Sequence, residues 1–415
     1  MPESSPSRAQ RNYAWVTLAL VFVVFGSGIF SLDVMPPLFL EMSTSFAMSN
    51  TQMGGTISAF HFASPIFTPI GGLLVDRYGP RRVLTIALIL LSVASFGRSL
   101  ADSATQLSVI MFFMGVGFAS FGPNVPKVLG AVFPKDQLAR VNGLVFSGVG
   151  FANALALGSA STLLLPMMGS WQGVMQFTSV ITIALAGIWF VHMRRFRFMS
   201  VEPLCIAETD SATDEQLSIN ETIKHILGVR DLWGIALFFA MPAFAYWGLL
   251  SQLPPVLGER GVAEPGLMVA TMTGTSVFAN ILGGYISDKL GKRKLVLMVC
   301  VIGLASTMPL AILLDGPIVY GVMVMSGLFF GPIVPIALTI PVELPEIGTK
   351  YAGSALGFVF MIGNIGSILG PVTLGYLIDA TGSPFTSFAV AAILLICAIL
   401  PLTMVRETAG THAVN

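Results

Sequence analysis

Apolar residues run along this chain in stretches of about 20, the length a helix needs to cross roughly 30 Å of hydrocarbon. Twelve such stretches can be counted, at 14–38, 52–75, 81–101, 105–131, 140–165, 172–193, 232–256, 267–287, 294–313, 317–342, 351–378 and 385–405. They predict an all-α membrane protein with twelve transmembrane helices. The first stretch is too long for a cleavable leader, and no small-residue cleavage site follows it, so it is expected to be a span.

One polar interval stands apart. Residues 193–233 are the longest polar stretch and carry an acidic run of Glu202, Glu208, Asp210, Asp214 and Glu215. They divide the chain into an N-terminal six-helix bundle over 1–195, a linker over 196–230 and a C-terminal six-helix bundle over 231–415. Within the linker, Leu217, Ile223, Ile226 and Leu227 fall roughly on one helical face. That spacing fits either a short amphipathic helix on the membrane surface or a solvated connector.

Composition agrees with a bilayer protein. The chain is 54% hydrophobic and 10% charged, against roughly 25% charged residues in ordinary soluble domains. The 21 bases and 21 acids cancel, but the bases are sorted by side. With the N-terminus inside, only Arg98, Lys127 and Arg260 fall away from the cytoplasmic face, so both termini are expected in the cytoplasm and the chain in the plasma (inner) membrane. Zero net charge therefore says nothing of a nucleic-acid partner, and none is expected. Cys205, Cys300 and Cys397 form no pairing pattern. The absence of a phosphate-cradling GxxxxGK[ST] run, a metal-ligand cluster and a nucleophile–base arrangement argues against an enzyme, a cofactor or a metal, and for gradients over ATP as the driving force.

The two halves repeat each other. GGLLVDRYGPRR at 71–82 returns as GGYISDKLGKRK at 283–294, GPNVP at 122–126 returns as GPIVP at 331–335, and Asn153 returns as Asn364. Three correspondences at nearly one offset indicate parallel repeats about an axis along the membrane normal. In the first pair, Gly72 and Gly284 are expected to let a neighbouring helix approach closely, while Gly79 and Gly291 permit the tight turn. Asp76 and Asp288 can accept hydrogen bonds or face a helix N-terminus of the adjoining bundle, with Arg77, Arg81, Arg82, Lys289, Lys292 and Arg293 as partners.

GGLLVDRYGPRR resembles the loop 2–3 signature of the major facilitator superfamily, whose degenerate copy lies between helices 8 and 9. The resemblance covers the whole chain and implies two six-helix bundles related by pseudo-two-fold symmetry, working as a secondary transporter. It also implies a cytoplasmic latch made by Gly72, Asp76, Arg77, Gly79, Arg81, Gly284, Asp288, Lys289, Gly291 and Arg293, intact when the protein opens outward and broken when it opens inward.

Polar groups at membrane depth are the substrate-site candidates, since they are costly in hydrocarbon and usually face a cavity. His61, Asn153 and Asn364 fall near the midplane, Asn124, Lys127 and Asn280 inward of it, and Tyr246 and Trp247 mark the seventh helix. Lys127 reads either as a cavity cation or as a side chain snorkelling to the inner surface. His61 reads as a group that titrates near neutral pH or as a neutral buried donor, Asn153 and Asn364 as ligands or helix bridges. Asp33 falls toward the outside, next to a Met-Pro-Pro run, and is read as intramembrane or as solvated there. The stretch FGPNVPKVLGAVFPKDQLARVNGL at 121–144 is similar to carriers of small anions of the cyanate, nitrate and monocarboxylate groups. It departs from the nitrate group, which has an Arg within each of helices 2 and 8. The expected substrate is a small organic or inorganic anion carried by a functional monomer, with a co-transported proton; efflux of amphipathic compounds is the alternative, favoured by 10% aromatics and 21 methionines.

Overall fold

The computed structural model describes residues 8–194 and 219–408, and among them it is helical throughout apart from turns and short connections. Span 1 is Arg8–Asp33. Spans 2 and 3 are the two arms of one unbroken run, Asn50–Arg98. Span 4 is Ala104–Ala119 continued by Phe121–Gly130. Span 5 is Lys135–Ser159, continued by a π-turn at Ala160–Leu164 and a short turn at Leu165–Met168. Span 6 is Trp171–His192. After the linker helix Ile219–Gly228 come span 7 at Arg230–Glu259, span 8 at Pro265–Leu290 and span 9 at Arg293–Leu313. Span 10 is Ile318–Phe330 continued by Ile333–Glu343, span 11 is Gly348–Thr381, and span 12 is Pro384–Cys397 continued by Ile399–Thr403.

Eleven of these continuous helices are long and apolar enough to cross a membrane. The twelfth is hidden in Asn50–Arg98, whose 49 residues at about 1.5 Å each could cross twice. Gly79 breaks it with φ 77 and ψ 158, a left-handed conformation that glycine adopts without steric cost. The corresponding turn between spans 8 and 9 uses Gly291 at φ 59. An even number of crossings puts both termini on one face, called here the terminal face; the opposite side is the far face.

Helix starts on the far face follow from local chemistry. Ser49 and Gln52 form a reciprocal capping box at the start of span 2, and Ser103 and Ser170 accept from backbone N–H groups at the starts of spans 4 and 6, each satisfying a donor the helix leaves open. The GPNVP and GPIVP runs interrupt spans 4 and 10 at matching places, because proline cannot donate and its ring crowds the carbonyl four residues back.

Each half has its own hydrophobic core, one drawn from residues 13–193 and the other almost wholly from residues 226–405. The linker helix packs on the second. Ile226 is buried, whereas Ile223 and Leu227 remain exposed, and His225 stacks over Tyr351 and contacts Glu346 O at 2.7 Å. Leu217 lies outside the described residues.

The halves meet along spans 2 and 11 and along spans 5 and 8. Contact is closest near the far face. A Cβ on Gly54 would collide with Pro371 O, and one on Gly375 with Asn50 O. Gly375→Ala is therefore expected to wedge spans 2 and 11 apart, seen as increased reactivity of far-face cysteine reporters with an impermeant reagent and little change in the amount of folded protein.

Candidate functional site

At mid-depth, one polar chain joins the two halves. Asp33, at the end of span 1, is 1% exposed. This corrects its reading as a solvated carboxylate. The Met-Pro-Pro run does not carry it into water; it folds back as a buried one-turn 3-10 helix, Pro36–Leu38, and Pro37 packs against Gly266 of span 8. Asn153 of span 5 lies between Asp33 and Tyr246 of span 7. With its amide oriented to satisfy every neighbour, Asn153 donates to Asp33 Oδ2 at 2.7 Å and to Val149 O at 3.1 Å, and accepts from the Tyr246 hydroxyl at 3.0 Å. Tyr246 is held by stacking on Phe330 of span 10, centroids 3.9 Å apart.

The next residue of span 7 makes a second crossing. The Trp247 ring lies 4.2 Å from the imidazole of His61 on span 2. Trp247 is packed against both hydrophobic cores. His61 is buried, and its Nε2 has no hydrogen-bond partner among the described residues. Beside it is a cavity of about 150 Å³ lined by Ile29, Phe60, His61, Ser64, Gly115, Phe118, Trp247 and Asn364. Of the eight sequence candidates, the structure thus gathers His61, Trp247 and Asn364 around one cavity and Asn153 and Tyr246 into the adjoining network. Asn124 and Asn280 line neither. Asn124 is fully buried and donates to Ser120 O at the break in span 4, and Asn280 sits against Gly331.

Lys127 is placed elsewhere, which corrects its reading as an unpaired cavity cation. Its Nζ donates to Asp76 Oδ1 at 2.5 Å and to Gly72 O at 3.2 Å. The cause is geometric: the kinked second part of span 4 carries Lys127 to the terminal end of span 2, where Asp76 waits. Arg98 was missed as a buried charge. It is fully enclosed, and its guanidinium donates to Ser31 O, Ser31 Oγ and Ser95 Oγ at 2.7–2.9 Å. Ser95 in turn meets Thr178, and Ser92 meets Ser179, so spans 1, 3 and 6 share one polar seam. The serines and threonines at three- and four-residue spacing in spans 3 and 6 were the available signal.

On the terminal face, both repeats of the glycine–aspartate motif are paired inside their own halves. Asp76 meets Lys127. Arg293 meets Asp288 at 2.9 Å and grips Glu343 with two nitrogens at 2.6 and 2.7 Å. Arg81 donates to Phe190 O and lies over the Phe190 ring, Arg77 lies over Tyr78, and Lys289 is exposed. The close helix approach falls one residue earlier than expected. Gly72 and Gly284 have room for a side chain, whereas a Cβ on Gly71 would lie 2.8 Å from Ser120 Cα and one on Gly283 would collide with Pro332. A shift of one residue turns a helix position by about 100°, and the first glycine of each pair faces the break in span 4 or 10. Outside the spans, Arg406 beside Glu346 holds that carboxyl below the usual carboxylate range and also reaches Asp231, tying the segment after span 12 to span 7 and to the connection between spans 10 and 11.

The far face is clasped by a single carboxylate. Asp379, near the end of span 11, accepts from Asn50 N, Asn50 Nδ2, Thr51 N and Thr51 Oγ1 at 2.5–3.1 Å. Beneath it, Gln252 of span 7 donates to Asn50 O and Pro371 O, both at 3.1 Å.

The model of the Major Facilitator Superfamily matches residues 16–371 and 265–415, together nearly the whole chain. The chain belongs to the major facilitator superfamily. Among curated proteins, this superfamily member is similar to a hexuronate transporter of Bacillus subtilis (24% identity, 96% of this chain and 98% of the relative). It is also similar to a cis,cis-muconate transport protein of Acinetobacter baylyi (25% identity, 88% of each chain) and a nitrite extrusion protein of B. subtilis (27% identity, 82% of each chain). Among solved structures, a bacterial homologue of the human lysosomal transporter Spinster, in an inward-facing occupied conformation, shares the fold with a TM-score of 0.72 at 16% identity over 96% of each chain. The protein is a multi-pass membrane transporter of this superfamily and not an enzyme.

Proposed function

We propose that the protein is a secondary transporter of a small anion, coupled to a proton and working by alternating access between its two bundles. The observation that carries this reading is the pair of crossings made by adjacent residues of span 7, Tyr246 toward Asp33 through Asn153 and Trp247 toward His61. One crossing ends on a buried carboxylate and the other on a buried imidazole beside a cavity. A substrate seated at His61 and a proton on Asp33 therefore act on neighbouring points of one helix. Moving either changes the contacts that hold the halves together, which is what coupling requires. Relatives named for carboxylates and nitrite support an anionic substrate. The sorting of bases supports a terminal face in the cytoplasm of a cell with this chain in its plasma membrane. Six-helix bundles over 1–195 and 231–415, joined by 196–230 and acting as a functional monomer, complete the reading.

In the present arrangement the far face is closed by Asp379 and Gln252, and the terminal-face motifs are engaged within their own halves. We read the superfamily latch accordingly: when the far face opens, Asp76 exchanges Lys127 for a partner in the other half. Asp76→Asn and Lys127→Met are then expected to shift the resting population in the same direction and to be non-additive in combination, because they break one contact. The ion pair is partly exposed, with 33% and 54% of the two side chains accessible, so each change is expected to be worth about 1 kcal/mol or less. Additive effects measured by spin-label distances across the terminal face count against the shared contact. The transport reading itself is tested in sealed proteoliposomes. Imposing an inward proton gradient should drive accumulation of a labelled small carboxylate, and collapsing it with a protonophore should abolish that accumulation.

A further inference from the structure

We infer that the mid-membrane cavity takes a monocarboxylate with a small, planar, mostly apolar body, and discriminates against dicarboxylates and polyhydroxy acids. This deepens the anion-transport reading and rests on it. The cavity presents three polar side chains, His61, Ser64 and Asn364, against aromatic walls from Phe60, Phe118 and Trp247. Among the described residues His61 Nε2 is buried and without a partner, and in its Nε2–H tautomer it offers one donor to one carboxylate oxygen. Ser64 and Asn364 can serve the second oxygen.

A second carboxylate would find no cation. Lys127 is engaged by Asp76 and the Gly72 carbonyl, and Arg98 by the oxygens of Ser31 and Ser95. Burying that second charge unpaired costs several kcal/mol. A sugar acid fails for a related reason, since each buried hydroxyl without a partner costs about 1–3 kcal/mol and the three polar side chains are already used by the carboxylate. Size points the same way. A cavity of about 150 Å³ suits one unsaturated ring or a short chain with its carboxylate. The wall cannot easily retreat, because a Cβ on Gly115 of span 4 would collide with Phe60 O of span 2. The body of such a ligand lies among Phe60, Phe118 and Trp247, aromatic surface that favours a flat apolar group.

The test uses the purified full-length protein in lipid nanodiscs, with benzoate, benzamide, cis,cis-muconate and galacturonate as probes. Thermal unfolding and intrinsic tryptophan fluorescence are followed as each is titrated. Benzoate is expected to raise the unfolding temperature and perturb the fluorescence at concentrations about tenfold or more below those of the other three. His61→Gln should weaken benzoate by about tenfold while the apo protein still unfolds cooperatively, and Trp247→Phe, which keeps an aromatic wall, should remove most of the fluorescence response and weaken benzoate less than His61→Gln does. If His61→Gln does not fold, Asn364→Ala carries the same expectation for affinity. Tighter binding of muconate or galacturonate than of benzoate overturns the monocarboxylate inference and leaves anion transport standing. Benzamide binding as tightly as benzoate overturns both.

Discussion

Replacing Asp379 by Ala is expected to open the far face. The carboxylate accepts four hydrogen bonds from the first residues of span 2, two of them from backbone N–H groups at a helix N-terminus, where an anion also meets the positive end of the helix dipole. Ala removes all four acceptors and leaves those donors to water. For a partly exposed charged cluster the loss is about 2 kcal/mol, roughly a thirtyfold shift in the ratio of far-closed to far-open molecules. Spin labels at Thr44 and Ala263, exposed far-face positions of opposite halves, report it directly in a cysteine-free background: the long-distance population should grow in Asp379→Ala and grow less in Asp379→Asn, which keeps an acceptor. Unchanged distances in both variants would show that the packing of Gly54 and Gly375 closes the far face without the clasp.

Asp33→Asn is expected to uncouple transport from the proton. The amide keeps the volume and an acceptor for Asn153, so the bundle and the substrate cavity beside His61 should survive, but the position can no longer take up and release a proton. One proton moving with one carboxylate carries no net charge, so the pH difference is the driving force: one pH unit supplies about 1.4 kcal/mol, enough for roughly a tenfold accumulation of substrate. Gradient-driven uptake should therefore fall to the leak level, while exchange of labelled for unlabelled substrate, which needs no net proton movement, continues. Loss of both activities in a well-folded variant would assign Asp33 to substrate binding; retention of both would leave coupling to another group.

The two predictions differ in how far the linear chain announced them. Asp33 was visible as a charge within apolar sequence, yet its depth turned on whether residues 34–38 entered water or folded back under span 8. Hydropathy has no access to that choice, because valine, methionine and proline suit both. Asp379 gave no sign at all. An acid at the end of a span reads as an ordinary loop charge, and its four donors lie 328 and 329 residues away. Gly79 and Gly291, by contrast, were legible as turns, since both adopt left-handed φ values that glycine tolerates.

The span count, the repeat of the two halves, the broken fourth and tenth helices and the superfamily motif were determined by sequence, because each depends on local properties: apolar length against bilayer thickness, proline's missing donor, glycine's freedom in φ. Tertiary structure alone decided which charges are free. Lys127 and Arg98 carry the same formal charge within apolar surroundings, but one is paired with Asp76 on a helix it reaches only after a kink, and the other is hydrogen-bonded by neutral serine oxygens on spans 1 and 3. Among the described residues His61 Nε2 remains without a hydrogen-bond partner, and the rings beside it are those of Trp247 and Phe60. The charge of a residue is written in the chain, but its availability depends on which atoms from distant segments arrive within about 3 Å.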